Sequence, residues 1–168
     1  MKKLLLILLA LTMCVSLCAC GGGYSSPADA ARAAAEAFFV NFDADAYFKA
    51  DLNYNLDLVH KYVKDEATIK KIESAIIENQ ATMRTEISSM KSDYFGRNIK
   101  IGDSMTTYTY QRGSSSYREL MKDFYYNGTE MEALVDMIAE VKYTLLLDSQ
   151  SAESKMVVFC IDGNWYVG

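Results

Sequence analysis

Hydrophobic and polar positions divide the chain into three stretches with different periodicity. Apolar residues run almost unbroken from 4 to 15, then recur every third or fourth position up to residue 91, and from about residue 98 they alternate with polar residues. Spacing of three and four predicts helices with one buried face, whereas alternation predicts strands with one buried face. The pattern therefore predicts a short apolar segment, a helical half and a half rich in strands.

The helical half opens at Ser26-Pro27-Ala28-Asp29. Serine caps free backbone N–H groups, proline is tolerated at the first helical position, and the helix dipole favours an acidic residue in the first turn. The apolar face of this helix is mostly alanine, which predicts close packing against a flat surface. That face comprises Ala31, Ala34, Ala35, Phe38 and Phe42. Asp43 then predicts the cap of a second, short helix with Tyr47, Phe48 and Leu52.

Residues 56 to 91 contain no glycine or proline and keep the helical spacing. Leu56, Val59 and Val63 predict one helix, and a longer helix follows it. The apolar face of the longer helix comprises Ile69, Ile72, Ile76, Met83, Ile87 and Met90.

The second half begins with a predicted strand over residues 98 to 110, in which Gly102 marks a bulge or a bend. Ser116 to Glu119 forms a capping box that opens a short helix, and Asn127-Gly128 closes that helix. Residues 129 to 137 fit either a further helix or the start of a strand. A helix is therefore expected between the first strand and the remaining ones.

Three more strand features follow. Residues 138 to 147 alternate, residues 148 to 154 form a polar connection, and residues 155 to 161 predict another strand. Asp162-Gly163-Asn164 predicts a tight turn, because Asp-Gly suits the type I′ geometry, and a closing strand follows it. Four antiparallel strands after a helical half predict an α+β fold with N-terminal helices packed on an antiparallel sheet.

Trp165, the only tryptophan, lies in the closing strand. We expect its ring to be buried against the helical half, at the face that carries Phe38 and Phe42. The alternative is that Trp165 lies exposed at the mouth of a pocket and stacks on a ligand.

The N-terminal apolar run follows Met1-Lys2-Lys3 and is too short to cross a bilayer, which takes roughly 20 apolar residues. A cationic head, a short apolar run and a small residue before a cleavage point are features of a secretory signal. Leu17-Cys18-Ala19-Cys20 closes the run and resembles the lipobox of bacterial lipoproteins. The resemblance implies that diacylglycerol is attached to the Cys20 thiol and that the signal is cut just before this residue.

This resemblance implies a signal peptide at residues 1–19, a lipidated cysteine and a flexible tether at 20–25, and a single domain at 26–168. The mature protein would lie on the extracytoplasmic face of the cell membrane and hold to that membrane through its N-terminal lipid. Cys14 and Cys18 fit the motif less well, because each follows a residue larger than the small one that the signal requires. The alternative is that Cys20 is an ordinary cysteine behind a soluble secretory signal.

Charge and cysteine content exclude some classes of function. Removal of Lys2 and Lys3 with the signal changes the formal net charge from −5 to −7. An acidic domain is not suited to neutralise phosphates, so no nucleic acid is expected as a partner. Cys160 is then the one cysteine left without a signal or lipid role, which predicts a small buried apolar residue and no disulfide.

The order of elements also resembles a known group of proteins. A Ser-Pro-initiated helix of alanine and phenylalanine, a short helix, a longer helix and a meander ending in Asp162-Gly163-Asn164-Trp165-Tyr166-Val167 resemble the NTF2-like lipoproteins of Gram-positive bacteria, many of unknown function. Those proteins commonly end on an Asp-Gly-Lys-Trp-Tyr-like hairpin, and here Asn164 takes the lysine position. The resemblance covers residues 26 to 168 and implies a curved sheet wrapped around helices as a cone with an opening. The helix at 116 to 127 would cover or fill that opening.

Candidate chemistry is sparse. His60 is the only histidine, and no cysteine or histidine cluster gives it metal-ligand spacing, so neither a metal nor a cofactor is predicted. Enzymes of the resembled fold often use a histidine or tyrosine with an aspartate in the pocket, which makes His60 a candidate. The 12 tyrosines fit the rim of the core or the wall of a pocket. The possible pocket residues are Tyr47, His60, Tyr108, Tyr143 and Trp165.

These observations favour a lipid-anchored binding domain, without an evident catalytic site, that contacts a protein partner or a small ligand. The first alternative is a small enzyme that uses His60 with a carboxylate. The second alternative is a structural spacer in the cell envelope.

Overall fold

The structure, a computed structural model, describes residues 23–122 and 133–168. The predicted signal peptide, Cys20 and the helix end at Asn127-Gly128 lie outside the described residues, as does most of the ambiguous stretch before residue 135. The described helices are α1 Pro27–Ala35, α2 Ala44–Ala50, α3 Leu56–Tyr62, α4 Glu66–Asp93 and α5 Ser115–Lys122, with a π-helical segment Glu36–Asn41 and a 3-10 turn Leu52–Tyr54. The strands are β1 Ile99–Gln111, β2 Val135–Leu147, β3 Gln150–Ile161 and β4 Asn164–Val167.

The four strands form one antiparallel sheet in the order β1-β2-β3-β4, and helices pack against it. The predicted α+β fold is therefore confirmed. Each strand pairs with the next one along the chain, as in a meander. The Asp162-Gly163 turn has φ of 50° and 76°, so both central residues are left-handed, as the predicted type I′ turn requires.

Helix α1 begins as predicted. The Ser26 hydroxyl oxygen accepts a hydrogen bond from the Asp29 backbone N–H at 3.1 Å, and Pro27 opens the helix. Its alanines at 30, 31, 34 and 35 are fully buried. Since alanine adds only a methyl group, the α1 backbone approaches β3 and β4 closely.

Trp165 is buried, with 6 % of its surface exposed, which confirms the prediction for this residue. Its neighbours differ from those expected. Trp165 belongs to a cluster with the α1 alanines, Ala139, Val158 and Cys160, whereas Phe38 is half-buried and contacts the rings of Phe39 and Tyr47. The Phe38 and Phe42 placement was wrong because the chain leaves the regular helix at Glu36 and continues as a π-helical segment, which changes the side-chain register. Phe39 and Val40 of this segment pack towards Ile101 and Tyr143 of the sheet instead.

The N-terminal arm is part of the sheet. Tyr24 and Trp165 exchange two backbone hydrogen bonds, of 3.1 Å and 2.8 Å. Gly23 lies so close to β4 that a side-chain carbon there would stand 2.4 Å from the Cβ of Asn164. Ordered structure therefore begins before Ser26.

Helix α4 is the long helix that the apolar spacing predicts. The Asp65 side chain caps it and accepts from the Thr68 N–H at 2.8 Å. Ile72, Ile76 and Ile87 are buried, and the other predicted apolar positions are half-buried. The helix contacts α2, α3 and the 3-10 turn. It therefore forms an outer layer over the shorter helices.

Gly102 lies in a bulge, as predicted. The register between β1 and β2 shifts between Ile101 and Met105. The Arg32 guanidinium donates to the carbonyl oxygens of Gly102 and Asp103 at 3.1 Å and 2.9 Å. A side chain from α1 thus satisfies carbonyl groups within the bulge.

Three predicted boundaries were wrong. Strand β3 starts at Gln150, so the expected polar connection at 148 to 154 is a two-residue turn followed by strand, with Asp148 at φ 53°. Residues 150 to 153 are exposed. Where both faces of a strand meet solvent, apolar and polar residues do not alternate, so the sequence gives no strand signal. Strand β2 begins at Val135 rather than 138. The cap of α5 is Ser114, whose hydroxyl accepts from the Tyr117 N–H at 3.1 Å, rather than Ser116.

Truncation of Trp165 to alanine is expected to lower the free energy of unfolding by about 3–5 kcal/mol, because it opens a cavity between α1 and the sheet. Urea denaturation monitored by circular dichroism measures this loss. The Phe95→Ala variant is the control, since Phe95 is 88 % exposed and its truncation should change stability by no more than about 0.5 kcal/mol. Equal effects of the two substitutions would contradict the packing described for Trp165.

Candidate functional site

The two faces of the sheet are covered to different extents. One face packs along its length on α1, the π-helical segment and their neighbours. The other face is covered at one end, where Ile138 and Phe159 pack with Tyr117 of α5 and Leu58 of α3. Side chains of the same face farther along the strands lie in the open. This open part is the candidate binding surface.

The open part contains a groove of about 430 Å³ that crosses β1, β2 and β3. Register places Thr106 beside Lys142, and Lys142 beside Lys155. The groove is lined by Ser104, Thr106, Tyr108, Lys142, Tyr143, Thr144, Glu153, Ser154 and Lys155. Hydroxyl and charged groups therefore dominate its wall.

Two lysines face each other across neighbouring strands in this groove, and each has a partner. The Lys155 ammonium donates to the Glu140 carboxylate at 3.0 Å, and this hydrogen bond lowers the pKa of Glu140. The Lys142 ammonium lies 5.4 Å from the centre of the Tyr108 ring. Because a carboxylate offsets the charge of Lys155 and an aromatic ring stabilises the charge of Lys142, the two lysines can lie side by side. The groove offers ammonium and hydroxyl donors next to an exposed aromatic ring.

The structure does not bring the predicted pocket residues together. Tyr108 lines the groove and is 47 % exposed. Trp165 and Tyr143 are buried in the core beneath the helices, and Tyr47 packs against the same core. Tyr143 also contributes to the groove wall. The predicted residues are therefore divided among the core, the open groove and, for His60, the surface of the helical layer.

His60 lies on the surface. Its side chain is 52 % exposed, and Nε2 is 2.5 Å from the Glu73 carboxylate, so the contact joins α3 to α4. His60 does not line the groove. In the sequence it stands beside Val59, and the structure buries Val59 while His60 points outward. The histidine thus has a partner in the helical layer.

A buried polar pair was missed by the sequence analysis. Asp51 is 5 % exposed and accepts a hydrogen bond from the Asn53 N–H at 2.8 Å, and the Tyr47 hydroxyl donates to its carboxylate. Burial raises the pKa of Asp51, although both hydrogen bonds act in the opposite direction. Burial, followed by the nearby Asp51 charge, raises the pKa of Tyr47. The available signal was Asp51-Leu52-Asn53, because aspartate often caps a short turn through the backbone two residues later.

Other kinds of site receive little support from the described residues. Within 23–122 and 133–168, no group of three or more histidine, cysteine, aspartate or glutamate side chains could hold a metal ion. In the same part of the chain, no helix combines the length and apolar character needed to cross a membrane. Cys160 is buried with a free thiol, and burial raises its pKa.

Comparison with protein-family models found no matching family. Neither the curated proteins nor the solved structures gave a significant match.

The buried Asp51 carboxylate should make stability depend on pH in a definite direction. Because the folded-state pKa is raised, the charged form costs stability at neutral pH, and the cost disappears as the pH falls through that pKa. The isosteric Asp51→Asn change removes the charge. We expect the stability of this variant relative to the native protein to be highest near pH 7 and to decline towards pH 4, as measured by urea denaturation.

Asp148 provides the matched control with the opposite sign. The Asn98 N–H and the Arg97 side chain lower the pKa of this exposed carboxyl group. Its contribution is present above the unfolded pKa and is lost as the pH falls through the folded value. Asp148→Asn should therefore be less stable than the native protein at neutral pH, and the difference should vanish in acid. The same trend for both variants would contradict the assignment of Asp51 as a destabilising charge.

Proposed function

We propose that the chain is a lipid-anchored domain of the extracytoplasmic membrane face that binds a protein partner or a small ligand through the open groove of its sheet. The observation that carries the binding role is the groove itself, which crosses three strands and presents Tyr108 beside Lys142. The anchor rests on the lipobox at Leu17 to Cys20. Two acyl chains on one cysteine suffice for stable attachment, at about 0.8 kcal/mol per buried methylene.

Several features favour binding over the alternatives. An exposed tyrosine is a common contact residue because its ring supplies area and its hydroxyl supplies a hydrogen bond. Lys142 and Lys155 add cationic donors to a groove that also contains Glu153, and Lys155 is paired with Glu140. The groove is therefore close to neutral, whereas the chain as a whole is acidic. We expect polar or anionic groups of the partner to contact these two lysines. A structural spacer does not require a groove that combines an exposed tyrosine with lysine donors.

The enzyme alternative gains no support from the position of His60. A general base must lie within hydrogen-bond reach of a substrate, and the nearest acidic partner of His60 is Glu73 on the helical surface. The Tyr47–Asp51 pair is a second combination of tyrosine and carboxylate, but Asp51 is closed off from solvent in the core. Neither pair lies in the groove.

The resemblance to NTF2-like lipoproteins is part of the proposal. The order of helices followed by a four-strand meander, with Asp162-Gly163-Asn164 as its last turn, agrees with that resemblance. We infer that the groove, on the side of the sheet away from α1, takes the role of the contact surface, since the space between α1 and the sheet is filled by side chains such as Trp165.

Replacement of Cys20 by alanine should release the protein from the membrane. We expect the native chain to remain in the membrane fraction after washing at alkaline pH and the Cys20→Ala variant to be lost from it, because the thiol that carries the lipid is absent. Immunoblotting of the fractions measures the distribution. Cys160→Ala is the control and should stay with the membrane. Retention of Cys20→Ala would refute the lipid anchor.

A photo-crosslinking residue at position 108 should trap the bound partner in intact cells. We expect an adduct at this position and none at position 82, which lies on α4 in the helical layer. A second change, Lys142→Glu, should greatly reduce the adduct because it reverses the charge beside Tyr108. Mass spectrometry of the trapped species distinguishes a protein from a small ligand. Adducts of equal yield at both positions, or at neither, would contradict a binding role for the groove.

A further inference from the structure

The N-terminal arm determines how far the folded domain can lie from a lipid on Cys20. Tyr24 is held on β4 by two backbone hydrogen bonds to Trp165. Gly23 packs against Asn164 and the Tyr166 hydroxyl, with room for no side chain. The sequence predicts a flexible tether at residues 20–25. With Gly23 and Tyr24 placed on β4, only Gly21 and Gly22 separate Cys20 from the ordered arm.

Covalent geometry limits this distance whatever the conformation of the two glycines. Three peptide units join the Cα atoms of Cys20 and Gly23, and consecutive Cα atoms are at most about 3.8 Å apart. The two Cα atoms are therefore separated by no more than about 11 Å. That reach is about one third of the roughly 30 Å thickness of the hydrocarbon core of a bilayer.

The surface around Gly23 can be defined from its contacts. The Asn164 amide donates to the Asp162 carbonyl at 3.2 Å, and the Asp162 carboxylate accepts from the Tyr62 hydroxyl and from the Lys61 ammonium, the latter at 3.4 Å. We call this surface the β4 rim: Gly23, Tyr24, Lys61, Tyr62, Asp162 and Asn164. It joins the end of α3 to the last turn of the sheet.

The chemistry of the β4 rim is compatible with a lipid headgroup surface. Lys61 and Asp162 are each more than half exposed and pair with each other, so their charges largely cancel. An anionic leaflet would therefore repel the rim less than it repels the acidic domain as a whole. Tyr62 adds an amphipathic ring, and tyrosine is enriched at the level of the headgroups.

We propose that the β4 rim lies against the bilayer, which makes it a membrane-contact surface of the anchored domain. The inference rests on the proposed lipid attachment at Cys20. The turn at Asp148 and Ser149 lies at the opposite end of β3. This strand extends eleven residue steps from Gln150 to Ile161, or about 36 Å. The chain thus has a near end at the β4 rim and a far end at this turn.

Fluorescence quenching by labelled lipid tests this orientation. Lys61→Cys and Ser149→Cys carry the same fluorophore in the full-length acylated protein, reconstituted in vesicles of phosphatidylcholine and phosphatidylglycerol with a nitroxide on a fraction of the headgroups. Both sites are exposed, and the free Cys160 thiol is buried. We expect several-fold stronger quenching at position 61 than at position 149. Equal quenching in protein that floats with the vesicles would overturn the membrane contact and leave the anchor intact.

A longer tether provides the matched control. Insertion of about twelve glycine and serine residues between Gly22 and Gly23 adds a mean reach of about 20 Å without changing the folded domain. We expect this insertion to remove most of the difference between the two positions while the protein still floats with the vesicles. A difference that persists unchanged would show that the tether does not hold the rim at the bilayer. Loss of flotation by the native acylated protein would refute the anchor and the contact together.

Discussion

The alanine face of α1 allows this helix to lie almost directly on the sheet, and the other elements are arranged around that contact. Four alanines with no exposed surface leave room for the Trp165 ring between helix and strands. Arg32, on the same helix, reaches the bulge of β1 and bonds two of its carbonyl groups. One short helix therefore contacts both outer strands of the described sheet, and larger side chains at the alanine positions would separate them.

The buried Trp165 side chain fills space between α1 and the sheet, so this face of the sheet offers little room for a ligand. The residues that could have lined a cavity there, Tyr47 and Tyr143, contribute to packing instead. The Tyr47 hydroxyl is engaged by Asp51, whose backbone also pairs with Val167 of β4. Polar groups in this interior serve to join the helical layer to the last strand. The open groove on the other face is left as the place where side chains of three strands meet solvent.

The sequence predicted those elements whose side chains meet an apolar layer on one side and water on the other. The α4 face and the end of β3 have such a boundary, and both were predicted correctly. The exposed start of β3 has water on both faces, so polar residues there gave no strand signal. Asp51 was missed because Asp51-Leu52-Asn53 indicates only a short turn, whereas the burial of the Asp51 carboxylate depends on residues of other elements that pack over it. Periodicity describes one element at a time, so it could not show that His60 and Tyr108 lie apart.

β1 and β4 are the edge strands of the sheet. The free backbone groups of an edge strand can pair with a further strand. On β4, Tyr24 occupies the position beside Trp165, so the protein covers part of this edge with its own chain. On β1, the bulge between Ile101 and Met105 divides the edge into two short runs, and Arg32 engages carbonyl oxygens within it. Bulged and covered edges are poor templates for strand addition. Both features shorten the free strand edge that a neighbouring copy of the chain could extend into an intermolecular sheet.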